Sequence, residues 1–168
     1  MECILKYFPH LTEFQKNVLY ALYDSYKHWN KRINVISRKD FQNFYLHHVL
    51  YSLAIARVVR FAPGTNILDV GTGGGFPGLP LAILFPEVHF TLVDSVGKKL
   101  RVIEFMKREF HLFNISTKHA RIETYHDKFD FVVSRAITQF PRLVGWVQSN
   151  IGGDHKNQLT NGILYLKG

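Results

Sequence analysis

The chain has 168 residues, 21 Lys+Arg against 13 Asp+Glu, a net charge of +8, and a single cysteine. One domain of this length can bury a full core without staples. A hydrophobic content of 46% excludes a disordered chain, and Cys3 alone excludes an internal disulfide or a multi-cysteine metal site.

The first third reads as helices. Thr12 and Gln15 have the spacing of a capping box, so a helix begins near Glu13. Phe14, Val18, Leu22, Tyr26 and Trp29 give it one apolar stripe. Lys31 to Lys39 is a basic connector. Asp40 is placed to cap a second helix running toward Arg60, which Pro63-Gly64 stops. Residues 1–61 carry nine Lys/Arg against four Asp/Glu, so most of the excess positive charge sits here. Such a surface attracts polyanions, nucleic acid first.

From Asn66 onward the pattern changes. Asn66–Val70 reads as a strand, Gly71 to Gly78 as a glycine-rich turn, and Pro77 opens a helix through Leu84. His89–Asp94 is a second strand. Val96, Leu100, Ile103, Met106 and Phe110 form the inward stripe of the next helix, and Lys98, Lys99, Arg101, Lys107 and Arg108 coat its other side. That basic coat is either simply solvated or an RNA surface. Ser116–His119 and Phe129–Ser134 read as strands three and four. A helix from Gln139 to Ile151, a polar loop and a last strand, Ile163–Leu166, complete the pattern. Strands alternating with helices predict a mainly parallel, doubly wound α/β sheet. Residues 1–61 form a helical extension on an α/β core of residues 62–168, in one domain. No stretch reads as a membrane span, and the N-terminus lacks a signal peptide, which predicts a cytoplasmic protein. Nothing calls for an oligomer, and a monomer is expected.

The chemistry concentrates at Asp69-Val-Gly71-Thr-Gly73-Gly-Gly75. Glycines between a strand and a helix let a ligand approach the backbone where a Cβ would stand. Gly73, Gly75 and Gly78 also satisfy the dinucleotide fingerprint, which keeps an NAD-dependent oxidoreductase as the alternative. Two features favour S-adenosyl-L-methionine. Asp69 precedes the first glycine, where it can face an ammonium but would repel a pyrophosphate. The glycines begin directly after the strand, and Pro77 interrupts the dinucleotide match. Asp94, ending the second strand, suits the ribose hydroxyls of either cofactor. No Gly-Lys-Ser/Thr closes a phosphate loop, and His47 and His48 diverge on an α-helix, a poor metal pair. No metal is expected.

Asn66–Pro80, with its Phe76-Pro77-Gly78-Leu79-Pro80 extension, resembles the bacterial 16S ribosomal RNA guanine-N7 methyltransferases, also called glucose-inhibited division protein B. Further matches follow in order: His28-Trp29-Asn30-Lys31 with Asn34, His48 to Leu53, Leu92 to Lys99, Ser134-Arg135-Ala136, and Leu166-Lys167-Gly168. The resemblance implies a Rossmann-like class I methyltransferase fold. It implies S-adenosyl-L-methionine as cofactor, and as partner the 16S ribosomal RNA of the small ribosomal subunit near its decoding region. It implies that Gly71, Gly73, Gly75 and Phe76 cradle the methionine part. Asp94 then holds the ribose, Arg121, Ile122 and Glu123 meet the adenine, and Arg135 is the active-site arginine. Tyr51 stands where the family pattern has an acid. Family members also continue past Leu-Lys-Gly into strands that complete the sheet, so Ile163–Leu166 is expected as an unpaired edge strand. A catalytically silent RNA-binding relic is the reading that follows if those strands are essential.

Guanine N7 attacks through a lone pair and loses no proton, so the transfer needs alignment rather than a general base. Arg135 is suited to guanine O6 or a nearby phosphate; the competing assignment is a salt bridge to Asp130. Lys31, Arg32, Arg38 and Lys39 are the candidate RNA contacts, since nothing apolar competes for them. Trp29 is open between RNA contact and core, and Phe76 between packing and a lid.

Overall fold

The computed structural model describes residues 1–167. Its centre is a five-stranded, wholly parallel sheet of β1 (Asn66–Val70), β2 (His89–Asp94), β3 (Ile115–His119), β4 (Phe131–Arg135) and β5 (Gly162–Leu166). The spatial order is β3-β2-β1-β4-β5. The chain winds outward one way from β1, then returns to wind the other way. That reversal lies between β1 and β4, where ligands of such sheets bind beyond the carboxyl ends of the strands. Four of the five β1 residues are buried, as expected of a parallel strand covered on both faces.

The two faces have different cover. Ile67 and Phe90 pack on the side of α2 (Glu13–Asn30), α4 (Gly78–Leu84) and α5 (Gly97–Glu109). Leu68, Val70, Val93 and Val132 pack on the other side, under Leu143 and Val147 of α6 (Phe140–Val147). Fully buried Tyr26, Phe44, Phe90 and Phe131 anchor the larger side. Such aromatics each bury about 150–250 Å².

α2 starts with the expected capping box, since Thr12 and Gln15 satisfy each other reciprocally. The Gln15 amide also donates to the Ile83 and Leu84 carbonyls at 3.0 and 3.1 Å. It thereby supplies the donors that the end of α4 lacks and ties the extension to the core. Val18, Leu22 and Tyr26 of the expected stripe are buried, whereas Phe14 is exposed. A short helix, α1 (Glu2–Tyr7), precedes it and buries Ile4.

The stretch after Asp40 departs from expectation. It is not one α-helix but a 3-10 turn (Phe41–Asn43), a π-helix (Phe44–Leu50), one α turn, α3 (Tyr51–Leu53), and a second 3-10 turn (Ala54–Arg57). Asp40 caps no backbone amide. Its carboxylate is instead taken by the side chains of Asn43, His47 and His48.

Smaller shifts occur at element ends. Pro77 stands just before α4 rather than inside it. β4 starts two residues later than expected, because the Asp130 carboxylate accepts the Asn66 amide at 2.8 Å. α6 ends at Val147 and continues as a 3-10 turn, Gln148–Asn150. β5 pairs with β4 alone and forms one edge of the described sheet.

Candidate active site

The glycine loop is built by backbone freedom. Gly71, Gly73 and Gly75 have φ of +66°, +58° and +103°, a region that side chains with a Cβ rarely enter. The Gly71 and Thr72 amides both donate to the Val93 carbonyl, at 2.9 and 3.1 Å. The Gly73 amide donates to Asp94 Oδ2 at 2.8 Å, and the Val96 amide to Asp94 Oδ1 at 2.8 Å. One carboxylate therefore stitches the loop to the start of α5. Each of its oxygens keeps a second acceptor position.

Asp69 occupies a different place from the one expected. Strand alternation turns it to the α4 side of the sheet, where it is fully buried. Asp69 Oδ2 accepts from Thr72 Oγ1 at 2.6 Å and from the Gly78 amide at 2.8 Å. Asp69 Oδ1 is buried with no hydrogen-bond partner among the described residues. Asp69 braces the loop from behind and does not line the cavity in front of it. Burial pushes its carboxyl up to about 7, against the opposing pull of Thr72, Gly78 and the Arg135 charge.

That cavity, about 460 Å³, opens at the carboxyl ends of β1, β2 and β4. Of the sequence-derived candidates, Gly71, Asp94, Arg121, Ile122, Glu123 and Arg135 line it. Gly73 adjoins it through Asp94, while Gly75 and Phe76 are buried beneath the loop. Val96, Lys99, Ile137 and Trp146 also line it. Val96 and Lys99 fall within the Leu92–Lys99 match without a site role, and no motif singled out Ile137 or Trp146, although Ile137 directly follows Ser-Arg-Ala. Ile137 lies so close over Gly71 that a Cβ on Gly71 would come within 2.1 Å of its Cδ1.

Phe76 is a packing residue rather than an open lid. Its ring lies 5.1 Å from Tyr26, 5.5 Å from His48 and 6.2 Å from Phe44. Arg135 sits over it, with Cζ 5.2 Å from the ring centroid. Arg135 makes no pair with Asp130, which is engaged at the other end of the sheet by Asn66 and by Lys156 at 3.5 Å. Instead Arg135 Nη1 donates to the His47 carbonyl at 2.9 Å, and Nη2 lies 3.2 Å from His48 Nδ1. Tyr51, one residue before the buried Ser52, donates its hydroxyl to the Lys167 carbonyl.

Lys31, Arg32, Arg38 and Lys39 lie on the connector, with Lys31, Arg32, Arg38 and Lys39 all exposed. Asn30 holds this connector in place: its side chain donates to the Ile36 carbonyl at 2.8 Å and accepts from the Val35 and Ile36 amides at 2.9 and 3.0 Å. Val35 lies against the glycine loop, where a Cβ on Gly74 would stand 2.9 Å from its Cβ. Tyr26 donates to the Gly74 carbonyl. The basic connector and the loop are thus immediate neighbours, a proximity that sequence separation conceals. Trp29 is half-buried against Phe105, at 5.3 Å between ring centres.

The parallel 3-2-1-4-5 order, the glycine loop after β1 and the acid ending β2 define a Rossmann-like fold of the kind found in class I methyltransferases. Solved structures share the fold. An S-adenosylmethionine-dependent methyltransferase from Geobacter sulfurreducens, in complex with S-adenosyl-L-homocysteine, is 17% identical with a TM-score of 0.56, over 69% of this chain and 47% of that one. A second such enzyme, from Thiobacillus denitrificans, is 14% identical with a TM-score of 0.56, over 77% of this chain and 55% of that one.

The chain belongs to the GidB family, rRNA small subunit methyltransferase G, whose family model matches residues 15–163. It is 55% identical to the ribosomal RNA small subunit methyltransferase G of Bacteroides thetaiotaomicron, over all of this chain and 82% of that protein. It is 51% identical to the protein of that name from Flavobacterium johnsoniae, over all of this chain and 80% of that one. This membership makes it an enzyme, a methyltransferase dependent on S-adenosylmethionine, and overturns the alternative of an NAD-dependent oxidoreductase. No helix among the described residues is long and apolar enough to cross a membrane.

Proposed function

We propose that the protein transfers a methyl group from S-adenosylmethionine to N7 of a guanine in the 16S ribosomal RNA of the small ribosomal subunit, acting as a cytoplasmic monomer. The observation that carries this reading is the convergence of Asp94, the Arg121–Glu123 segment and Arg135 on one cavity beside the glycine loop. The cavity volume suits a ligand of nucleoside size.

The residues fit the cofactor. Asp94 offers its free lone pairs to ribose hydroxyls, and Ile122 gives an apolar wall for an adenine. Gly73 leaves open space: a Cβ placed there would have the Gly71 carbonyl oxygen, at 4.0 Å, as its nearest neighbour. Gly75, Phe76 and Asp69 act one layer back, by holding the loop in shape. When bound, S-adenosylmethionine supplies an electrophilic methyl on a sulfonium together with its own leaving group. Guanine N7 needs no base, so the protein's contribution is orientation. Arg135, at the carboxyl end of β4, addresses guanine O6 or an adjoining phosphate in the plane of the base. An arginine stacked on the ring would oppose the cation that forms.

Lys31, Arg32, Arg38 and Lys39 beside the loop hold the RNA backbone by charge. Tritiated methyl transfer, assayed on naked small-subunit RNA and on the assembled subunit, tests this reading. Label in the RNA of one of them is expected. Label only in protein or small molecules refutes the substrate. RNA binding without transfer supports the silent relic.

A further inference from the structure

The grip on Arg135 is itself a chain of constrained hydrogen bonds, and it starts outside the Rossmann core. A guanidinium nitrogen can only donate. His48 Nδ1, 3.2 Å from Arg135 Nη2, must therefore accept, and the ring proton belongs on Nε2. That nitrogen lies 2.9 Å from Asp40 Oδ2, which takes the proton's hydrogen bond. Both neighbours thus select the same tautomer. Asp40 is fixed in turn by the Asn43 amide at 3.0 Å and His47 Nδ1 at 2.7 Å, both on Oδ1. His47 also supplies the carbonyl that receives Arg135 Nη1. Consecutive residues of one π-helical turn therefore hold both arms of the guanidinium, with Phe76 against its face. π turns recur at functional sites.

Resting on the role of Arg135 proposed above, we infer that His48 is a positioning residue of the methyl transfer: a neutral imidazole, anchored by Asp40, that aims the Arg135 guanidinium along the cavity. Protonation of His48 would set an N–H against the N–H of Arg135 and release the aim. Burial and the Arg135 charge hold the imidazole below its ordinary value, so it is in the working form near neutrality. The charged and titratable groups facing His48 are Asp40, Arg135 and His47. Those facing the guanidinium are Asp69, Tyr51, Tyr26 and Asp40.

The test compares transfer to small-subunit RNA, across pH, by the full chain and by His48→Asn, His48→Gln and Arg135→Ala. Affinity for S-adenosylhomocysteine, read by calorimetry, reports whether each variant keeps its cavity. Asparagine places an oxygen near the Nδ1 position and does not titrate. Glutamine keeps only the donor toward Asp40. A lost hydrogen bond to a charged group corresponds to about tenfold to a hundredfold, so H48Q should lose that much kcat/KM. H48N should retain clearly more, and the acid limb of the parent profile should be absent from it. Equal impairment of H48N and H48Q overturns the inference. So does an acid limb that persists in H48N. Transfer undiminished in H48Q but lost in R135A overturns His48 alone, whereas transfer undiminished in R135A overturns the reading of Arg135 beneath it.

Discussion

Gly73→Ala separates the loop's shape from its ligand. At φ +58° an alanine must occupy the left-handed region, at a cost of about 1–2 kcal/mol. No clash adds to this, since the nearest atom to the new Cβ is the Gly71 carbonyl oxygen at 4.0 Å. For a chain of this length each kcal/mol lowers Tm by about 2–4 °C. The ligand-free variant should therefore melt about 2–8 °C below the parent and remain folded. Cofactor binding should suffer separately, because the methyl group fills space that the protein leaves open beside Asp94. A loss of at least about tenfold in affinity, about 1.4 kcal/mol, is expected for S-adenosylhomocysteine by calorimetry. The informative result is the pair of numbers. A lowered Tm with affinity within about twofold of the parent would refute the placement of the ligand over Gly73.

Asp94→Ala removes the acceptor shared by the Gly73 and Val96 amides; affinity for S-adenosylhomocysteine should fall at least about tenfold. Asp94→Asn, which keeps one acceptor, should lie between it and the parent, and a reversed order contradicts the assignment. Asp69, raised from 3.8 to about 7 in the fold, binds its proton more tightly folded than unfolded, so it destabilises the ligand-free protein progressively as pH rises through that window. Asp69→Asn removes this slope. Its unfolding free energy relative to the parent should improve by about 3 kcal/mol from about pH 5 to about pH 8, and a constant difference refutes the buried charge. Replacing Lys31, Arg32, Arg38 and Lys39 together by Gln should weaken RNA binding and flatten the slope of its salt dependence by about 0.7–0.9 for each phosphate no longer neutralised. An unchanged slope places the RNA elsewhere.

The glycine loop, the sheet and the acid ending β2 were legible because each depends on local geometry. A strand must end, a backbone must turn through positive φ, and a helix must begin, all within Asp69 to Gly78. Asp69 is legible as important, but the side of the sheet it faces is not legible from the motif. Period-2 alternation along β1 puts it with Ile67 beneath α4, away from the cavity. The Asp40–His48–Arg135 contacts were not legible at all. They depend on a π turn where the spacing of Phe44, His48 and Ile55 is equally compatible with an α-helix, and on a side chain 87 positions distant in the chain. The same holds for the basic connector, whose contact with Gly74 comes from Asn30 gripping Ile36 rather than from any motif.

The reaction proposed for this site is methylation of guanine at N7 in small-subunit ribosomal RNA. RNA treated with the enzyme and S-adenosylmethionine can be digested to nucleosides and resolved by mass spectrometry. The new nucleoside should be 7-methylguanosine, absent when Arg135→Ala replaces the parent enzyme. A methyl group on another base, on guanine at a different atom, or on no RNA at all would contradict it.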